Sequence, residues 1–162
     1  MVKGDEPLVC LDTSIFLSFL KGNDPHSAVC RDLLREAQVG LFTAITSTLA
    51  IVETVHLAKP EVADDEVEHR IKTFYDVPWL TMWQINKAVA YESSRLSRKY
   101  RGTTKDTPHD SVFVATAKLA GVSLIFTTDE RFIRRFDNNV EGVKVTLPTT
   151  FNHQLQLPLE DH

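Results

Sequence analysis

Four acids lie where a carboxylate is either a local capping device or a ligand: Asp12, Glu53, Asp110 and Asp129. Asp12 ends the apolar run Leu8 to Leu11, and Asp129 closes Leu124-Ile125-Phe126-Thr127-Thr128. Both read as strand ends, and ligands of open α/β sheets bind beyond the carboxyl ends of strands. Each also has an ordinary role open to it. Asp12 could cap the helix that follows, and Thr127 with Glu130 has the spacing of a capping box, which leaves Asp129 as an acid on the helix dipole. Asp110 fits the third position of a helix capped by Thr107 with Pro108 first. Glu53 lacks such an alternative, because it falls well inside a helical stretch among Leu49, Ile51, Val52, Val55 and Leu57. Away from the exposed edge of that helix, it needs a cation or a hydrogen-bonded neighbour.

Gathered in one pocket, ionised carboxylates about 5 Å apart repel by about 3 kcal/mol per pair at an effective dielectric of ~20. Four of them would cost on the order of 10 kcal/mol, comparable to the whole stability of a domain. Either some protonate or a cation joins them. With hard oxygen donors and no accompanying Cys or His pattern, the fitting ion is Mg²⁺ or Mn²⁺, which keeps several of its waters.

The elements that must position these acids alternate. Leu8 to Leu11 predicts a strand, followed by an amphipathic helix that stops at Lys21-Gly22-Asn23. A helix over Pro25 to Val39, with Asp24 as its cap and Gly40 at its close, leads to a strand over Leu41 to Ile45. Thr46, Ser47 and Thr48 are cap candidates for a helix reaching about Ala58, which Lys59-Pro60 ends. An acidic helix from Glu61 to Tyr75, a strand from Pro78 to Met82 and a helix from Ile85 to Lys99 come next. The basic loop Tyr100 to Asp106 precedes a helix from Pro108 to Ala120. A strand over Ser123 to Phe126, a short helix from Glu130 to Phe136 and a strand over Val143 to Thr146 complete the series. Short strands alternating with helices imply a parallel sheet covered on both faces, an α/β class.

The 162 residues fit one domain, placed at 1–147, with 148–162 as a polar, loosely attached tail. Eighteen Lys and Arg against 22 Asp and Glu give a net charge of −4, so any attraction to nucleic acid must be local. Two basic patches qualify: Arg95, Arg98, Lys99, Arg101 and Lys105, and then Arg131, Arg134 and Arg135. Either could equally be a solvated helix face. The two cysteines, Cys10 and Cys30, suggest neither a disulfide framework nor a zinc site. With no apolar run of membrane-spanning length and no export signal, a cytoplasmic location is expected.

Taken together, the segments resemble the PIN domain, and within it the VapC-like toxins of bacterial toxin–antitoxin pairs. The residues that carry the likeness are Leu11-Asp12-Thr13-Ser14, Glu53 in Ile51-Val52-Glu53-Thr54, Asp110 at the head of Asp110-Ser111-Val112-Phe113-Val114-Ala115-Thr116-Ala117, and Phe126-Thr127-Thr128-Asp129 with Phe132 behind it. The resemblance implies a three-layer α/β/α fold whose central parallel sheet has four or five strands, the first in the middle. It implies that Asp12, Glu53, Asp110 and Asp129 hold one or two Mg²⁺ or Mn²⁺ ions at the sheet's C-terminal edge, with Thr13, Ser14 and Thr127 lending hydroxyls. It further implies an endoribonuclease that hydrolyses RNA phosphodiester bonds, forms a homodimer and is silenced by a cognate antitoxin. Arg98, Lys99, Arg101 and Lys105 are then candidates for RNA phosphate contacts, and His109 could reach a leaving group, although an exposed histidine at a helix start is the plainer reading.

Two features depart from the pattern. Glu61, Asp64, Asp65, Glu66 and Glu68 make an acidic run unlike an RNA-facing surface, suited to a partner or to solvent. Asp106 lies close enough to Asp110 to compete for the third acidic position, but Asp110 directly begins the apolar run. The rival reading is a PIN-like module that binds RNA or protein without cutting. A metal-dependent phosphatase fits less well, since Ser14 stands where its second aspartate would be.

Overall fold

The computed structural model describes residues 6–54, 63–101 and 108–152. Among them, six strands form one sheet in the order β3-β2-β1-β4-β6-β5. Strands β1 (Leu8–Leu11), β2 (Thr43–Ser47), β3 (Leu80–Trp83), β4 (Leu124–Phe126) and β6 (Val143–Thr146) run parallel, and the two-residue β5 (Asn139–Val140) is antiparallel at the edge. The expected parallel sheet with its first strand inside is therefore present, with β5 as an addition.

The helices between the strands are α1 (Thr13–Lys21), α2 (Ser27–Gln38), α3 (Leu49–Thr54), α4 (Asp64–Tyr75), α5 (Lys87–Lys99), α6 (His109–Leu119) and α7 (Glu130–Arg135). Their ends follow local chemistry. α1 stops where Gly22 takes a left-handed conformation (φ 68°) and donates its N–H to the Ser18 carbonyl. Asn86 caps α5 by accepting from the Val89 N–H at 3.0 Å. α2 begins at Ser27, two residues later than expected, because the Asp24 carboxylate binds the His26 N–H and holds Pro25 in the preceding turn. Of the three cap candidates before α3, Ser47 accepts from the Leu49 N–H, while the Thr46 hydroxyl crosses to the Leu11 carbonyl and ties β2 to β1. The continuation of α3 expected to reach Ala58 lies outside the described residues, as do Glu61 and the start of the acidic run.

Val9, Cys10 and Leu11 are buried without remainder, which for adjacent residues of one strand means that both faces of β1 are covered. Phe16, Phe113, Phe132, Phe136 and Tyr75 pack the surrounding layers. Of the acids of α4, Glu66 and Glu68 are exposed and pair with Arg70 and Lys72, each one turn apart.

The first residues of the expected tail are docked. Phe151 packs its ring 4.9 Å from that of Phe42 and 6.3 Å from that of Phe126. The buried Glu36 carboxylate accepts the N–H groups of Phe151 (2.8 Å) and Asn152 (3.1 Å). Residues 153–162 lie outside the described residues.

Candidate active site

The central strands β1 and β4 lead to two of the acids, and the helices α3 and α6 carry the other two. Asp12 follows β1 directly, and its N–H still donates to the Phe126 carbonyl at 3.0 Å, so the residue is held in the sheet. Its carboxylate does not make the capping hydrogen bond to α1 that the sequence allows. Instead, Oδ2 accepts from the hydroxyls of Ser14 and Thr127, both at 2.7 Å. Ser14 Oγ and Thr127 Oγ1 are 3.2 Å apart, and they also accept the N–H groups of Thr128 and Asp129 respectively. The three expected hydroxyls thus have definite work: Ser14 and Thr127 clasp Asp12, and Thr13 donates to Glu53 Oε1 at 3.0 Å.

Glu53 sits on α3, partly buried, with its second oxygen, Oε2, 3.7 Å from His109 Nδ1. His109 remains half exposed at the start of α6, but it faces a site acid, which sequence alone left undecided. Asp110, next along α6, is largely buried. Its Oδ2 lies 3.8 Å from Arg135 Nη1. The expected cap of this helix, Thr107, lies outside the described residues, and Pro108 occupies the position before α6. Asp129 precedes α7 and caps it, its Oδ1 accepting the Arg131 N–H at 2.9 Å. The Thr127–Glu130 capping box is not formed, because the Thr127 hydroxyl is committed to Asp12.

Charge is concentrated here. Burial pushes the Asp12 carboxyl up to about 6; the Ser14 and Thr127 hydroxyls oppose that rise, and the Glu53 charge adds to it. Asp110 is pushed up to about 7, first by burial and then by the charges of Asp12 and Asp129, with Arg135 opposing and Glu53 adding. Each of these two acids therefore feels its counterparts across strands far apart in sequence. Tyr75 is raised to about 12 by burial, with smaller contributions from Glu53 and Asp12; its hydroxyl is bonded to Thr54 and the Ala50 carbonyl beneath the pocket.

The donor set fits a hard divalent cation: carboxylate oxygens with neighbouring hydroxyls, and no thiol close by. Among the described residues, no three acid, histidine or cysteine side chains form a ready-made ion cage.

The basic candidates separate. Arg98, Lys99 and Arg101 are exposed at the end of α5, whereas Lys105, like Asp106, lies outside the described residues. Arg95 is not available as a phosphate contact: with Lys118 it is bound to Glu92 and Glu141, and hydrogen bonding from Arg95 chiefly holds both acids down at about 2. Lys99 approaches Glu141 at 3.6 Å. The second patch is divided too. Arg131 and Arg134 are exposed, but the Arg135 side chain is 4% exposed and turned into the acidic pocket. The signal for that was its spacing: Arg135 stands three residues after buried Phe132 and beside buried Phe136, on the inward face of α7.

A mostly parallel α/β sheet with acids after its central strands and on the helices beside them defines the class of fold. Within that class the chain belongs to the PIN domain family, whose model matches residues 9–137. Solved structures agree on the fold. VapC20 of Mycobacterium tuberculosis, described as a sarcin-ricin-loop-cleaving toxin, superposes with a TM-score of 0.63 at 13% identity, covering 84% of this chain and 98% of that one. DNA-bound VapBC of Salmonella typhimurium gives a TM-score of 0.58 at 17% identity, with coverages of 86% and 97%. FitAcB of Neisseria gonorrhoeae gives 0.59 at 16% identity, also with 86% and 97%. No curated protein matches the sequence. Among the described residues, no helix is long and apolar enough to cross a membrane.

Proposed function

We propose that this protein is a metal-dependent endoribonuclease, the toxin of a type II toxin–antitoxin pair. The observation that carries the reading is a buried carboxylate, Asp12, clasped by Ser14 and Thr127, with a second, largely buried one, Asp110, near enough to feel its charge. A pocket that burdens itself with unbalanced negative charge is suited to receiving a cation. Asp12 and Asp110 would be the main ligands for Mg²⁺ or Mn²⁺, with Glu53 and Asp129 ligating directly or through water. When bound, such an ion supplies Lewis acidity toward a phosphodiester and makes water a stronger nucleophile at neutral pH.

The chain's own residues do the rest. Ser14 and Thr127 fix the Asp12 carboxylate, Thr13 fixes Glu53, and the Asp129 N–H bonded to Thr127 keeps the β4–α7 turn against that clasp. Arg98 and Arg101, exposed beside the α5 end, are suited to RNA phosphates, with Lys99 partly held by Glu141.

The antitoxin part of the reading draws on the solved neighbours, which include a toxin–antitoxin complex from Klebsiella pneumoniae at 19% identity and a TM-score of 0.59. It also draws on apolar side chains left exposed on adjoining helices, Phe19 and Leu20 on α1 and Ile51 and Val52 on α3. A cognate antitoxin is the proposed partner for such a surface, and pairing into a homodimer belongs to the same reading.

Asp110→Asn tests the chemistry. The variant removes a charge and keeps the shape, so it should stay folded while Mg²⁺- or Mn²⁺-dependent RNA cleavage falls by about 100-fold or more. Cleavage by the variant at the wild-type rate, or a wild type that binds RNA without cutting it, would replace the nuclease by a binding module.

A further inference from the structure

Arg135 differs from the other cations of α7. Arg131 and Arg134 have side chains 70% and 71% exposed, whereas that of Arg135 is 4% exposed. A guanidinium is always charged, and burying it is costly unless partners surround it. Here they do. Its Nε donates to the Tyr100 carbonyl at 3.1 Å, its Cζ lies 5.2 Å from the Phe136 ring centroid, and its Nη1 faces Asp110 Oδ2 at 3.8 Å. The Tyr100 hydroxyl is bonded in turn to Glu141, so the carbonyl that holds Arg135 is itself on a braced residue. A separation of 3.8 Å is a Coulombic contact longer than a hydrogen bond, and it leaves the Asp110 oxygens able to ligate.

Positive charge is unevenly supplied to the pocket. Among the described residues, Arg135 pairs with Asp110 and Arg131 with Asp129, while no lysine or arginine pairs with Asp12 or Glu53. Among the described residues, the imidazole beside Glu53 is that of His109. The Asp129 Oδ1 is further occupied by the Arg131 N–H. Asp110 and Asp129 therefore each face a guanidinium, whereas the partners of Asp12 and Glu53 among the described residues are hydroxyls and, at Glu53, His109.

We propose that Arg135 is a resident cation that stands in for a second metal ion, so that the pocket takes up one divalent ion. The inference rests on the reading of the pocket as a divalent-ion site. With Arg135 and the exposed Arg131 counted against the four carboxylates, one divalent ion brings the group to neutrality. A second would turn the group positive beside a buried guanidinium, and like charges at such range repel strongly.

Manganese titration of the metal-free full chain, followed by calorimetry and by the electron paramagnetic resonance of free Mn²⁺, reads the stoichiometry directly. Wild type should bind one Mn²⁺ per chain, and Arg135→Lys, which keeps the charge, should do the same. Arg135→Met should take up a second ion or bind the first at least about tenfold more tightly. Arg135→Gln, which keeps a donor toward the Tyr100 carbonyl, replaces it should the Met variant not fold. Two ions of similar affinity in wild type, a neutral variant that titrates like wild type, or a Lys variant that titrates like the neutral one would each overturn the role of Arg135. A wild type that binds no Mn²⁺ would instead overturn the divalent-ion reading beneath it.

Discussion

Asp12 and Asp110 are acids whose folded surroundings favour the proton, at about 6 and about 7 against an unfolded value of about 3.9. For a raised carboxyl, the native state is the better proton binder. The metal-free fold is thus least burdened below about pH 4 and loses stability as the pH climbs through the two native values, the full penalty being reached above about 7. A divalent cation favours the ionised forms and relieves that penalty. Adding Mn²⁺ should accordingly raise Tm more at about pH 8 than at about pH 5, as read by thermal unfolding with and without the ion. An equal or larger rise at the acid pH would count against a carboxylate site. Asp12 and Asp129 could be placed from the sequence because strand ends are legible, Asp110 because a helix start is, and Glu53 because an acid inside a helix stands out. What each carboxylate does there was not. Asp12 and Asp129 occupy similar positions before a helix, yet one is clasped by Thr127 across 115 residues and the other caps its own helix. Only the folded neighbour distinguishes them.

At the scale of elements, periodicity and capping residues predicted every parallel strand and, apart from the end of α3, which lies outside the described residues, every helix to within a few residues. The edge strand β5 escaped, for a definable reason. Its two residues are joined to β6 through Glu141 and Gly142 with φ of 50° and 90°, a tight turn of the sort that Asn-Gly usually announces. Glu141 occupies the first of those positions while its carboxylate serves Arg95, Lys118 and Tyr100, so a tertiary brace overrides a local preference. The polar composition of the C-terminal segment likewise hid an anchor, since only contact with Phe42 and Glu36 reveals it. Phe151→Ala should lower the unfolding free energy by about 1.5–3 kcal/mol, visible as a reduced urea midpoint. An unchanged midpoint would mean that the ring is adsorbed without contributing to the fold.

Across the whole molecule, the sheet is assembled from pieces distant in sequence, with β1 paired to β2 on one side and β4 on the other. Separating β1 from β4 breaks the clasp of Thr127 on Asp12, so loss of that pairing and loss of the site should coincide. Cys10 lies at the centre of this arrangement, opposite Ile45 and Ile125, and burial raises its thiol well above the usual range. Cys30 is equally covered. The chain therefore carries its own reporter of opening: an aromatic disulfide reagent should find neither sulfur until the strands part. Its labelling rate in native buffer then measures how often that happens, and Mn²⁺ bound two residues away at Asp12 should slow the modification of Cys10.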